Sequence, residues 1–576
     1  MSALLDWFDG VVRSPEGPVY AEAVFAAIAL LVALWRPRLA SPFFDRIEGL
    51  FASLSARPRF ALLAAFCFPI VLRVLCLPLY PPPQPAIHDE FSYLLIADTL
   101  LAGRLANPLH PMWEHFETIH VIFNPTYASK YPVGQGFILA LPQLFGLPAY
   151  SGVWLSCGLM SAAIFWMLRH WLSPGWAFAA IMVVLPRVSV MSVWMHTYWG
   201  GAFAATGGAL AVGAFARLLA RPSAKYALLL GLGIAILANT RPYEGAATVL
   251  VLAVALLVWL LRSKALPAAA KVRQILLPLA LTSAATISFI ALHNWSVTGS
   301  VMKLPYMRNR EIYGTPQTFY WQEPSPPGSF SNKQIRANYL WQLDMHQKGR
   351  SLAKLGEATW NKLAESWRFF LGPVWLVPFL FLPVCIRRPG YLVPACALGL
   401  VLVAVSCYPF FFPHYLGPVT GIIVLFTACG LARLKEASFR GKPFGNAAVR
   451  MLVLAGIVSF FYQISLDYAF SDAVRQPKKP RTQVVEALNK LGGNHLVLVR
   501  YGVDHDFHKE IVYNAADIDA SSIVWARDLG PISNQRLLSA YKDRRAWVFE
   551  PDDRPPLLTP YENDPFSNFP SLPPVR

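Results

Sequence analysis

No Asp, Glu, Lys or Arg interrupts the chain between Gln274 and His293, or between Gly390 and His414. A helix needs about 20 such residues to cross a hydrocarbon core, and in lipid every backbone N–H and C=O must be paired within the segment or with a neighbour. The pattern recurs at roughly 20–35, 60–79, 151–169, 175–193, 200–217, 226–241, 245–261, 275–293, 369–386, 391–409, 416–432 and 450–468, which predicts about twelve transmembrane helices. The expected fold class is a polytopic α-helical membrane protein. Charged residues are 14% of the 576 positions, against about 25% in soluble domains, and this excludes a soluble multidomain enzyme. Unbroken apolar runs exclude a β-barrel, whose strands alternate.

The formal net charge of +17 comes from 50 Lys and Arg against 33 Asp and Glu. The basic residues gather in short loops such as WRPRLASPFFDRIEG, ARLLARPSAK, RSKALPAAAKVR, CIRRPG and RLKEASFRGK. That is the distribution of cytoplasmic loops, so the charge reports orientation and no nucleic-acid partner is expected. With these loops inside and an even number of spans, both termini lie outside. MSALLDWFDGVV carries acids where a signal peptide has a basic region, so no cleaved leader is expected. All seven cysteines lie in apolar stretches, which leaves neither a disulfide framework nor a cysteine-based zinc site to infer.

Three regions follow. Residues 1–59 hold one transmembrane helix and a cytoplasmic loop. Residues 60–469 form the main transmembrane module, with long outer loops at 81–150 and 294–367. Residues 470–576 read as a small outer-face α/β domain: VVEALNKLG is a helix ending on Gly492, HLVLVRYG, SSIVWARDL and RAWVFEPD are strands, and NQRLLSAYKD is a second helix. The tail PPLLTPYENDPFSNFPSLPPVR carries too much proline to fold alone. In the first outer loop, PPPQP stops a helix, HDEFSYLLIADTLLAGR starts an amphipathic one lying on the membrane, and GFILALPQLFG is a re-entrant or interfacial helix.

Asp89 and Glu90 sit between that proline stop and the amphipathic helix, held by the turn at the interface, where desolvation can raise a carboxylate towards a useful pKa. Lys130, in ASKYPVGQG, and Arg241, in NTRPYEG, reach the same face, as do Arg308 and Arg310 in YMRNRE and His414 in FFPHYLGP. Lys130 and Arg241 also read as snorkelling towards water. Several cations meeting two acids at one interface suit a lipid-linked phosphate leaving group, because positive charge stabilises the oxyanion as its bond breaks.

His88-Asp89-Glu90, Tyr93, Ala97, Gly103-Arg104 and Pro108, followed by Lys130-Tyr131-Pro132 and Gly134, resemble the first outer loop of the GT-C glycosyltransferases. The nearest members are the aminoarabinose transferase and the protein O-mannosyltransferases. The resemblance implies a GT-C-like fold, a polyprenyl-phosphate-linked sugar as donor, and an acceptor on the periplasmic side of a bacterial inner membrane. It implies Asp89 as base with Glu90 in support, and Lys130 on the donor phosphate. Arg241, His414 and Tyr415 match the outer helix ends more loosely, with Tyr243 separating Pro242 from Glu244. Arg308 and Arg310 then join the phosphate contacts, and Tyr93, Tyr131 and Tyr415 the substrate contacts. An extra N-terminal helix and the C-terminal domain depart from the pattern.

No cofactor is required by this reading, although a divalent metal has two candidate stretches. HPMWEHFETIH offers His110, His115, His120, Glu114 and Glu117, with Glu117 and His120 on one helical face; YGVDHDFHKE offers Asp504, His505, Asp506 and His508. Interfacial packing and a solvated loop explain them as well. SVWMHTYWGG reads as an interfacial aromatic belt before a sugar-stacking surface. A transporter or flippase of a lipid-linked saccharide is the main rival, but it would place ionisable groups near the midplane, where the predicted spans carry almost no acids. A membrane-anchored receptor leaves the outer-loop residues unexplained.

Overall fold

The computed structural model describes residues 16–561 except 315–317, 325–329, 331, 439–440, 442 and 471–478, and gives no side chains for 466–470. The N-terminal MSALLDWFDGVV and most of the proline-rich tail lie outside the described residues. Each of the twelve predicted apolar segments has a helical counterpart, but not all are long enough to cross. Eight helices among the described residues qualify by length and composition. A ninth forms if Leu352–Phe370 and Gly372–Ile386, bent by 98°, are counted as one broken span. The other three, Pro174–Arg187, Ala224–Ala238 and Leu392–Ser406, are short apolar helices. At 1.5 Å per residue a 15-residue helix covers only about 22 Å. Pro174–Arg187 is further broken, passing through a π turn at Ala180–Val184 and a tight turn containing Pro186.

The bundle packs through small residues. Ala202–Ala220, with the sequence AFAATGGALAVGAFARLLA, runs through the centre of the main hydrophobic core. A methyl group on Gly233 would fall 2.6 Å from the backbone nitrogen of Ala211, so Ala224–Ala238 approaches at backbone distance. Close approach of this kind supplies the dispersion contact that drives helix association in lipid. The helix Gly17–Trp35 is fastened to the bundle by a buried ion pair: Arg187 Nη1 lies 2.8 Å from Glu22 Oε2, and Arg187 also donates to the carbonyls of Phe369 and Arg368. At the opposite end, Arg450 Nε lies 2.8 Å from Glu48 Oε1, pinning the amphipathic helix Ser41–Ser55.

The loops at the other end of the bundle are structured. His88–Leu101 and Gly134–Gln143 are helices, and between them β1 (Val121–Ile122) pairs antiparallel with β2 (Ala128–Ser129). Near the C-terminus, β3 (His495–Val499), β4 (Ile523–Arg527), β5 (Arg545–Glu550) and β6 (Leu557–Pro560) form a sheet of order β4-β3-β5-β6. The first three are parallel and β6 is antiparallel, with helices Pro480–Leu491 and Pro531–Ala540 where the pattern predicted them. Gly492, at φ +65°, ends the first helix. The tail departs from expectation at Leu557–Pro560, which adds to β5 as an edge strand. An edge position tolerates proline because one side of the strand needs no donor.

This sheet shares a core with the first outer loop. Phe91, Leu95, Phe116, Val121, Phe123 and Tyr127 pack with Leu496, Leu498, Tyr513, Val524 and Leu537. Phe91 stacks on Tyr513 at 4.4 Å between ring centroids, His115 Nδ1 lies 2.9 Å from the Arg527 carbonyl, and Arg527 Nε donates to the Glu117 carbonyl at 2.8 Å.

Candidate active site

The site begins at the first turn of His88–Leu101. Glu90, the third residue of that helix, folds back on its own N-terminus: one oxygen accepts from the amides of Ala86 (2.8 Å) and Ile87 (3.2 Å), the other from Tyr198 (3.1 Å). This satisfies two helix-terminal donors and ties the proline stop to the loop before Ala202–Ala220. Burial pushes the Glu90 carboxyl up, against the pull of those three amides. Its carboxylate is occupied by backbone, so its role is to hold the turn.

Asp89, the neighbouring residue, points the other way. One of its oxygens accepts from the Tyr131 hydroxyl, and His88 Nδ1 lies 2.9 Å and His120 Nε2 3.8 Å from the carboxylate. The Asp89 side chain is 24% exposed, while those of His88 and His120 are 7% and 10% exposed. Burial alone would raise the Asp89 carboxyl. The imidazoles of His120 and His88, with the Tyr131 hydroxyl, outweigh it and hold the group well below the usual carboxylate range. The upward shift expected from interfacial desolvation is therefore reversed, because polar partners surround the group. Tyr131 moves oppositely: burial, then the Asp89 charge, pushes its phenol well up, so it stays a donor.

His120 reaches Asp89 from the turn immediately before β1, in a left-handed backbone conformation at φ +66°. Its carbonyl accepts from Ser92 Oγ (2.8 Å) and from the Lys130 amide (3.2 Å), and these bonds fix the turn against the helix. Burial lowers the His120 imidazole well below its ordinary value, and nearby Lys130 adds to the effect. Among the described residues His88, Asp89 and His120 can present ligand atoms that all lie within 4.8 Å of one another.

Three cations of the site rest on aromatic faces. Lys130 Nζ lies 5.1 Å from the Tyr131 ring centroid and 5.0 Å from that of Tyr306. No carboxylate pairs with it among the described residues, and burial lowers its ammonium pKa. Arg310 also packs on the Tyr306 ring, at 4.6 Å, and donates to Thr318 Oγ1. Burial would raise the Tyr306 phenol, but Lys130 and Arg310 outweigh it and lower the group from its ordinary value. Arg241, the residue before Pro242–Arg262, lies over the Tyr415 ring at 4.4 Å. Its charge also acts on Tyr93, whose phenol burial pushes up to about 12 and whose ring stacks on Tyr131 at 4.7 Å.

The structure thus brings Asp89, Lys130, Tyr131, Tyr93, Arg241, Tyr415 and Arg310 into one chain of contacts. His414 joins at its edge, buried, against Tyr415, Phe412 and Trp199. Arg308 is turned away: Nε donates to the Asn124 carbonyl at 3.0 Å and Nη1 lies 3.3 Å from Glu311. Most of the predicted metal stretches are otherwise engaged. His110 contacts Asp519, His115 the carbonyls of Arg527 and Ser533, Glu117 accepts from Tyr313, and His505 contacts Asp552. Glu117 and His120 do not share a helical face, because only Trp113–His115 is a helical turn there.

Sequence reasoning passed over Tyr306, on whose ring two cations of the site rest, and it named His508 as a metal-ligand candidate without linking it to His88. The His508 ring lies 5.6 Å from that of His88 and 5.1 Å from that of Trp341. Tyr306 sits in the YMRNRE stretch already singled out for its arginines; no local pattern links His508 to a residue so distant in the chain.

No protein-family model and no curated protein sequence matches the chain. Among solved structures it is similar to ArnT from Cupriavidus metallidurans in the apo state, with a TM-score of 0.47 and 13% identity over 84% of this chain and 92% of that one. The same protein bound to undecaprenyl phosphate gives 0.48 and 14% over the same shares. The Archaeoglobus fulgidus oligosaccharyltransferase gives 0.48 and 12%, over 85% of this chain and 67% of that one.

Proposed function

We propose that the chain is a membrane glycosyltransferase that moves a sugar from a polyprenyl-phosphate donor to a hydroxyl of a lipid, glycan or protein acceptor, with inversion. The site would face the periplasmic side of a bacterial inner membrane, where donor and bilayer are both within reach. One observation carries the reading: buried Lys130, near an ionised Asp89, and partly buried Arg241 rest on aromatic rings, and among the described residues neither has a carboxylate within ion-pair distance. A buried cation left unpaired is costly, and an arriving phosphate supplies the missing partner.

In the transfer, the acceptor oxygen forms its bond to the anomeric carbon as the bond from that carbon to the phosphate oxygen breaks. The bonding pair leaves with the phosphate, and the polyprenyl phosphate departs against Lys130 and Arg241, with Arg310 on the Tyr306 ring. The acceptor proton passes to Asp89, which Tyr131 holds in place by hydrogen bond. Because the Asp89 carboxyl is held low, it is ionised in the resting enzyme and takes the proton late, when the attacking oxygen has become acidic. Glu90 positions the turn without touching substrate, and Tyr93 and Tyr415 line the approach.

The test is incubation of the purified, lipid-reconstituted protein with a polyprenyl-phosphate sugar. The expected result is release of free polyprenyl phosphate and a product of opposite anomeric configuration. Movement of intact donor across proteoliposomes, with no cleavage, would favour the flippase reading and overturn this one.

A further inference from the structure

We infer that His88, Asp89 and His120 form a binding site for one borderline divalent transition-metal ion, Zn2+ being the best match. The ligand set is two imidazoles and one carboxylate, which suits such an ion and leaves a coordination position open. Ligand atoms in a tetrahedral zinc site stand about 3.3 Å apart, given metal–ligand bonds of about 2.0 Å. His88 Nδ1 lies 2.9 Å from one Asp89 oxygen and His120 Nε2 3.8 Å from the other, and one ligand atom from each of the three residues lies within 4.8 Å of the other two.

The alternative is that His88 merely forms an ion pair orienting Asp89. Against it, His88 is 6% exposed, and while its Nδ1 meets the Asp89 carboxylate at 2.9 Å, its buried Nε2 has no hydrogen-bond partner among the described residues. A buried imidazole with one nitrogen against a carboxylate and the other unmet is the state of a ligand rather than of a satisfied core histidine. The His120 ring stands edge-on to that of His88 at 4.3 Å, and the Ser92 and Lys130 bonds to the His120 carbonyl fix its backbone so that the ring is delivered there. Tyr131 donates to the Asp89 carboxylate, the orienting contact that ligating carboxylates use. His508 packs over the outer side of His88 and walls the site from the C-terminal layer.

The site shares Asp89 with the proposed transfer centre, but its test does not use transfer. Full-length protein, stripped with a chelator, is titrated with Zn2+ alone, and bound metal is counted by elemental analysis after desalting. The expected result is one tightly held Zn2+ per chain, with affinity reduced at least about 100-fold in His88→Ala and His120→Ala and unchanged in His505→Ala. X-ray absorption at the zinc edge of the wild-type protein should show two imidazole nitrogens in the inner shell, a readout that holds even where a variant fails to fold. No bound zinc in the wild type, zinc without imidazole ligation, or equal affinity in folded His88→Ala and His120→Ala would overturn the site. Zinc bound as expected by a chain that consumes no donor would overturn the transfer reading instead and leave the site standing.

Discussion

Arg187 and Lys130 are both charged groups shielded from water, and their surroundings are opposite. In the bundle, Arg187 has a carboxylate partner in Glu22, two backbone carbonyls as further acceptors, and the Val374 amide completing Glu22 at 3.3 Å. At the loop-bearing end, Lys130 and Arg241 lie on aromatic faces, and among the described residues neither has a carboxylate within ion-pair distance, the Glu244 charge acting on Arg241 only from further off. A saturated pair is a fastening and has nothing left to offer a ligand. An aromatic face stabilises a cation by about 0.5–2 kcal/mol, enough to hold it in position while leaving its charge available. The difference separates charges that build the fold from charges that await an anion, and it makes Arg308, paired with Glu311, behave like the former although it sits among the latter.

The largest effect tests the fastening. Glu22→Ala strands a buried guanidinium and should cost about 3–5 kcal/mol, read as a marked fall in melting temperature in detergent. An unchanged melting point would remove the contrast at its base. Next, Asp89→Asn should lower turnover by about 10²-fold or more with the melting point retained, since the variant cannot take the acceptor proton. Full turnover would show that Asp89 holds Tyr131 and nothing more.

Lys130→Ala should weaken donor binding by about tenfold, or about 1.4 kcal/mol, while an uncharged donor analogue binds wild type and variant alike. Equal loss for both ligands would mean that the side chain acts through packing on Tyr131 and Tyr306. The smallest effect is expected at Arg308→Ala, a change within about twofold in donor affinity, because an exposed pair with Glu311 contributes little. A loss matching that of Lys130→Ala would erase the distinction between paired and unpaired cations in this loop.

Asp89 and Glu90 show how far sequence reading reached. Their placement at a helix start beside a proline stop was legible, because PPPQP and the apolar spacing after it are local signals. Which carboxylate is spent on backbone and which is left for chemistry was not, since Tyr198, His120 and Tyr131 approach from elsewhere in the chain. The same holds for the span count. Apolar length located all twelve segments, but the breaks at Ala180–Val184 and at the 98° bend depend on how neighbouring helices receive them.

The sequence by itself determined the polytopic helical class, the placement of Asp89, Lys130 and Arg310 in the long loops and of Arg241 and His414 at helix ends, and the helices and central strands after residue 480. Those properties follow from periodicity, composition and chain-local capping, which operate within a turn or two. The tertiary structure alone decided that the C-terminal sheet buries Phe91 and Phe116 in a common core and brings His508 to His88. It likewise decided that, among the described residues, Arg308 meets a carboxylate and Lys130 does not. Contacts between residues hundreds of positions apart leave no local pattern, because the energy that selects them is the packing and charge balance of the assembled whole.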